Sequence, residues 1–99
     1  MSYTYKEITE LITKQKPFLE SKYGLTKIGI YNFPEKNSGA VAIDFIVSFK
    51  KPLGMMFIDF AEFLESILNI DAEIITDEGL ENIKDTPLRE GIKNNVKYV

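Results

Sequence analysis

The chain has 99 residues, of which 44% are hydrophobic and 27% are charged. This length and composition predict one globular domain over residues 1–99, with no room for a second core. The chain contains no cysteine and no histidine, which excludes disulfides, thiolate nucleophiles, zinc-thiolate sites and imidazole bases. Any metal site must therefore use carboxylates, which favour Mg2+ or Mn2+.

The formal net charge of the chain is −3 at pH 7. Nonspecific nucleic-acid binding needs a basic face, so this charge argues against a nucleic-acid partner. The N-terminal segment has no long apolar run, and it predicts neither a signal peptide nor a membrane span. We therefore expect a cytoplasmic protein that does not bind membranes.

The first element predicted along the chain is a helix that begins after Thr4. Apolar residues follow with helical spacing, and Glu7 stands where a capping box needs it. Pro17 predicts an interruption after about Gln15, because a proline ring clashes with the preceding turn of a helix. A second, short helical segment is then expected up to Gly24.

Two strands are predicted next, at Lys27–Tyr31 and Val41–Phe49, with a loop of turn-forming residues between them. Alternate residues of the second strand are apolar from Val41 onward, so this set should face the core. Asp44 should then lie on the opposite face of the sheet. A carboxylate in the middle of such a strand is unusual, and it is either part of a site or a remnant of one.

The second half of the chain predicts a helix, a strand and a final helix. The helix at Met55–Leu68 has a wide apolar face that predicts core packing, although one flank could be a dimer or partner surface. The strand follows at Asp71–Thr76, and residues 77–79 are expected to turn the chain. Thr86 and Pro87 predict the N-cap and first residue of the last helix.

These elements together predict an α/β (α+β) fold. The fold has a small three-stranded mixed sheet with the helices packed on one face. The connection between the first two strands is too short for a helix, so a helical crossover is expected only between the second and third strands.

The stretch Lys27–Phe49, with all that follows it, resembles the MNT-type minimal nucleotidyltransferase domains of the DNA polymerase beta superfamily. The best match is Phe49–Leu80, which reads FKKPLGMMFIDFAEFLESILNIDAEIITDEGL and has the family's Lys-Pro-Leu-Gly turn, amphipathic helix and final strand. The closing segment Ile92–Val99 also matches. The resemblance covers nearly the whole chain, and it implies a nucleotidyltransferase-like fold.

The resemblance fails at the nucleotide-binding motif. The family has a Gly-Ser pair there, whose glycine lets the backbone approach a triphosphate and whose serine donates a hydroxyl. Asn32 and Phe33 stand in place of that pair, and Pro34 removes an N–H from the same segment. Lys36 is a further candidate nucleotide-binding position in this degenerate motif.

The resemblance also fails at the metal-binding motif. The family's Asp-x-Asp triplet corresponds to residues 42–44, where Ala42 replaces the first acid and Asp44 keeps the second. Glu73 corresponds to the family's third carboxylate. Eight residues separate Phe33 from Ala42, which is a shorter loop than the family has. Asp44 and Glu73 are therefore the vestigial catalytic candidates and the candidate ligands of a weak metal site.

Two functions follow from the resemblance. In the first, the protein is catalytically inactive, needs no cofactor and acts as a binding or regulatory module of the antitoxin type. In the second, it is a residual Mg-dependent nucleotidyltransferase that moves NMP from a nucleoside triphosphate to a protein or RNA hydroxyl. The combined losses at both motifs favour inactivity, because positioning and charge stabilisation supply most phosphoryl-transfer catalysis. Active family members are often paired with HEPN-type proteins in toxin–antitoxin modules, so the resemblance implies a HEPN-type partner or a homodimer.

Overall fold

The computed structural model of the protein describes residues 4–34 and 42–99. The elements run in the order α1 (Tyr5–Tyr23), β1 (Leu25–Asn32), β2 (Ala42–Phe49), α2 (Met56–Leu68), β3 (Asp71–Thr76), α3 (Asp77–Glu81), α4 (Thr86–Asn95) and β4 (Lys97–Tyr98). Val41, the predicted start of the second strand, lies outside the described residues. None of the helices in these two ranges is long and apolar enough to cross a membrane.

The strands form one mixed sheet in the order β3-β2-β1-β4, which confirms the predicted α/β class. Within the described residues the sheet has four strands, so the prediction of three was wrong. β1 pairs antiparallel with β2 and β4, whereas β2 and β3 pair in parallel and are connected by α2, as expected. The expectation of a single helical crossover was wrong as well. α3 and α4 form a second helical connection, because they join β3 at one edge of the sheet to β4 at the other.

The main hydrophobic core lies between one face of the sheet and the two longer helices, α1 and α2. The alternating residues Ile43, Phe45 and Val47 of β2 are fully buried in this core, as their spacing predicted. The helices bury one stripe each, formed by Ile8, Ile12, Leu19 and Tyr23 of α1 and by Phe60, Leu64 and Leu68 of α2. The side chains between the buried β2 residues therefore point to the other face of the sheet.

Both ends of α1 have the predicted caps. The Thr4 hydroxyl accepts from the Glu7 N–H at 3.1 Å, and the Thr4 N–H donates to the Glu7 carboxylate at 3.1 Å, which completes the capping box. Gly24 ends the helix in the left-handed conformation at φ 72, which glycine adopts without steric cost.

The predicted interruption of this helix near Gln15 was wrong, because α1 continues through Pro17 without a break. A proline inside a helix costs about 3 kcal/mol, since it removes a hydrogen bond and crowds the preceding turn. Leu19 and Tyr23 follow the proline and are 0% and 4% exposed. Burying a large apolar side chain contributes about 1.5–3 kcal/mol, so two such residues are enough to offset the cost of the proline.

The turn predicted at residues 77–79 is the short helix α3, which the Thr76 hydroxyl caps by accepting from the Gly79 N–H at 3.0 Å. The prediction that Thr86 caps the last helix was also wrong. Asp85 is the N-cap, since its carboxylate accepts from the Leu88 N–H at 3.1 Å. Thr86 then becomes the first helical residue.

The fourth strand packs closely against β1 at Gly29. Gly29 pairs with Tyr98, and a Cβ at position 29 would lie 2.6 Å from Cγ2 of Val96 and 3.0 Å from the Tyr98 ring. The Val99 N–H then donates to the Ile28 carbonyl at 2.9 Å. A strand of two residues is too short to show an alternation, which is why the sequence did not predict it.

Candidate functional site

The two predicted site carboxylates lie next to each other on the sheet. Asp44 of β2 is the partner of Glu73 in the parallel ladder with β3. Asp44 lies between buried core residues of β2, so its side chain points to the opposite face. Neighbouring strands are about 4.8 Å apart, which makes the two carboxylates adjacent. Their role as metal ligands stays a prediction.

Asn32, which is predicted to stand at the position of the family's glycine, is hydrogen-bonded to Asp44. Asn32 pairs with Asp44 across β1 and β2, after an irregularity in the ladder that begins at Ile30. The Asn32 side-chain N–H donates to Asp44 Oδ2 at 2.9 Å. The amide therefore stabilises the Asp44 carboxylate directly, by a charge-assisted hydrogen bond.

Tyr31 belongs to the same cluster, although the sequence analysis did not include it. It is half-buried, and its pKa is raised first by this burial and then by the negative charges of Asp44 and Glu73. A phenol is protonated at neutral pH even without this shift, so what the shift indicates is that the Tyr31 hydroxyl lies near both acids. Its place immediately before Asn32 was the only sequence signal that could have identified it.

Phe33, which is predicted to stand at the position of the family's serine, packs against the core. Its ring meets the Tyr5 ring of α1 edge to face, with centroids 5.5 Å apart and an interplanar angle of 82°. The Lys97 ammonium lies 5.9 Å from the centroid of the same Tyr5 ring. Lys36, the other predicted nucleotide-binding residue, lies outside the described residues.

The cluster does not fit a two-metal site. Within residues 4–34 and 42–99, no group of three or more acidic side chains could hold a metal ion. Asp44 and Glu73 alone provide two carboxylates, and one of them already accepts from Asn32. Two-metal catalysis needs ligands for both ions, so these residues could at most contribute to binding one Mg2+ ion.

A separate cavity of about 470 Å³ lies at the carboxyl ends of β2 and β3. It is lined by residues 47–54, Phe57 and residues 76–78. Asp44 and Glu73 do not line it, because both stand nearer the start of their strands. This cavity is therefore separate from the predicted nucleotide site.

Comparison with known proteins finds relatives that match this chain over nearly its full length. Two proteins of Methanocaldococcus jannaschii, each provisionally named a protein adenylyltransferase, are 27% identical over 99 residues, which cover 97% of this chain and 98% of each relative. The protein adenylyltransferase MntA of Thermococcus cleftensis is 28% identical over 91 residues, with 88% and 92% covered. No family model and no solved structure matches the chain. These relatives confirm the predicted resemblance to MNT-type nucleotidyltransferase domains.

Proposed function

We propose that this chain, an MNT-type nucleotidyltransferase domain by its resemblance, is catalytically silent and acts as a protein-binding module. The observation that carries the proposal is the structural use of Asn32 and Phe33, two of the three predicted nucleotide-binding positions. The Asn32 amide is bonded to Asp44, and the Phe33 ring is packed on Tyr5. Neither side chain is free to cradle a triphosphate.

The size of the catalytic effects supports a silent site. Removing one group that stabilises transition-state charge typically lowers turnover by about 100-fold to 1,000-fold. In this chain the changes at Asn32, Phe33 and Ala42 all affect the same step, the binding and neutralisation of the triphosphate. Their combined effect removes turnover at any useful rate.

The second candidate function is residual Mg-dependent transfer of NMP to a protein or RNA hydroxyl. Two observations favour it. The relatives are named protein adenylyltransferases, and the Asp44 and Glu73 carboxylates remain neighbours on the sheet. In this candidate the two acids would hold one Mg2+ ion, and a protein hydroxyl would be the preferred acceptor.

Labelled-nucleotide transfer distinguishes these two functions. The purified protein is incubated with α-labelled ATP and Mg2+ or Mn2+, with and without a co-purified partner or RNA. We expect labelling no greater than that of a protein-free blank. Reproducible labelling that Asp44→Asn abolishes would contradict the silent function and support the second candidate.

Restoring the family's motif provides the matched gain-of-function control. Asn32→Gly, Phe33→Ser and Ala42→Asp combined return the missing groups to their family positions. We expect this triple variant to bind Mg-ATP at least tenfold more tightly than the wild type in calorimetry. If a folded triple variant bound Mg-ATP no more tightly than the wild type, these three positions would not explain the absence of activity.

The partner class follows from the resemblance, which implies a HEPN-type protein and an antitoxin-like role. Co-expression with any HEPN-type protein found to be encoded beside this chain, followed by affinity purification of one tagged component, tests this part of the proposal. Recovery of both proteins at a fixed ratio is the expected result. Recovery of the tagged protein alone would contradict it.

A further inference from the structure

Two segments of opposite charge line the cavity at the carboxyl ends of β2 and β3. The turn before α2, here called the basic wall, carries the exposed Lys50 and Lys51. The start of α3, here called the acidic wall, carries the exposed Asp77 and Glu78. The Ser48 hydroxyl of β2 donates to Asp77 of the acidic wall. The four charges cancel at this rim, although the whole chain has a net charge of −3.

Apolar groups lie at the same place. Phe57 and Leu53 contribute to the lining of the cavity. Beside them, the start of α2 exposes Met55, Met56 and Ile58, whose exposed fractions are 88%, 43% and 61%. These three residues are here called the α2 patch. Large apolar side chains grouped beside a cavity are characteristic of interaction surfaces.

We propose that the cavity, its two walls and the α2 patch form a two-fold interface with a second copy of this chain. A two-fold interface places the same surface on both partners, so every contact occurs twice. The basic wall of each copy then faces the acidic wall of the other. Met55 is long and flexible, and it can enter the apolar part of the partner's cavity.

The charge pattern favours a second copy of this chain over partners of other kinds. A partner surface with a single sign of charge would attract one wall and repel the other. A second copy brings both signs in the matching arrangement, which is how electrostatic complementarity excludes wrong partners. The proposal does not depend on the silent function, because it uses no residue of the Asp44 cluster.

Sedimentation velocity over a wide concentration range tests the apolar part of the interface. We expect the wild type to show a dimer whose fraction rises with concentration. Ile58→Glu should weaken this dimer at least tenfold, because it brings an unpaired charge into the interface. Leu88→Glu is the matched control, since Leu88 of α4 is 54% exposed and does not line the cavity. It should leave the dimer unchanged.

A charge swap tests the pairing of the two walls. Lys51→Glu and Glu78→Lys should each weaken the homodimer several-fold, because like charges then face each other at both contacts. An equimolar mixture of the two variants should form a heterodimer in native mass spectrometry, since opposite charges are restored at both contacts. Lys84→Glu changes an exposed lysine outside the cavity, and it should have no effect.

Three results would overturn the proposal. The first is a wild type that stays monomeric up to about millimolar concentration, where even very weak interfaces associate. The second is a dimer that neither Ile58→Glu nor the separate charge variants weaken. The third is a mixture of the charge variants that forms no heterodimer although both proteins are folded by circular dichroism.

Discussion

Asp44 has one attractive and one repulsive neighbour. Asn32 donates a hydrogen bond to its carboxylate at 2.9 Å, and Glu73 lies beside it in the parallel ladder. Asp44→Ala removes the acceptor and should lower the free energy of unfolding by about 1 kcal/mol. Asp44→Asn keeps an acceptor oxygen and removes the like-charge repulsion, so it should cost less.

Urea unfolding in metal-free buffer and with Mg2+ measures both variants against the wild type. The difference between Asp44→Ala and Asp44→Asn separates the hydrogen bond from the charge. We expect Mg2+ to change the unfolding midpoint of the wild type no more than that of Asp44→Asn. A clear Mg2+ stabilisation of the wild type alone would instead indicate a working metal site.

Tyr23 makes a second side-chain contact with a measurable pH dependence. Its ring is 4% exposed, and its hydroxyl donates to Asp59 at 2.5 Å. Burial, followed by the hydrogen bond and charge of Asp59, raises the pKa of Tyr23 from 10.0 to about 12. A raised folded pKa gives a contribution that is complete below the unfolded value of 10.0 and is lost as the pH rises towards 12.

Tyr23→Phe should therefore lower the free energy of unfolding by about 1 kcal/mol near neutral pH, through loss of the hydrogen bond. The same variant should lose less stability than the wild type between pH 10.0 and 12. Urea midpoints across this range give both quantities, and Tyr98→Phe is the control because Tyr98 is 54% exposed. Parallel pH profiles for wild type and Tyr23→Phe would contradict this account.

Among the secondary-structure elements, β4 packs against β1 at Gly29, where the close approach leaves no room for a side chain. A Cβ at Gly29 would lie 2.6 Å from the Val96 side chain and 3.0 Å from the Tyr98 ring. Gly29→Ala should therefore displace β4 and cost about 1–3 kcal/mol of stability, as overpacking does. Hydrogen exchange of the Val99 N–H, which donates to Ile28, should become faster in this variant.

The double variant Gly29→Ala with Val96→Ala tests whether the cost of Gly29→Ala comes from a steric clash with Val96. Val96→Ala removes the nearest contacting atom, so the second substitution should cost less in the Gly29→Ala background than in the wild type. If the stability losses of the two substitutions were additive, the close packing at Gly29 would not be what positions β4.

At the scale of the whole molecule, the two proposed functional regions lie at different positions along the same strands. Asp44 is near the start of β2, whereas Phe49 at its end lines the cavity. The lining begins at Val47, which is three residues or about 10 Å of strand from Asp44 and is buried on the opposite face of the sheet. An interface at the cavity therefore uses no side chain of the Asp44 cluster. Asp44→Asn should leave the dimer intact, whereas Ile58→Glu should weaken it.

The sequence by itself determined the elements whose signals are local. The alternation in β2 and the apolar face of α2 correctly predicted these two elements and their buried sides. The predicted bounds of β3, Asp71–Thr76, agree with the structure. Local periodicity is enough for these elements. The departures from the family's motif at Asn32, Phe33 and Ala42 rest on the resemblance instead, and they stay a prediction.

Only the tertiary structure decided the rest. α1 continues past Pro17 because Leu19 is buried against the core. The last residues form a strand because they pair with β1, where the Val99 N–H donates to the Ile28 carbonyl. The bond from Asn32 to Asp44 depends on an irregular register between two strands, which no single strand encodes. In each case the deciding contacts join segments far apart in the chain. Their energies outweigh the local helix and strand preferences on which a prediction from sequence depends.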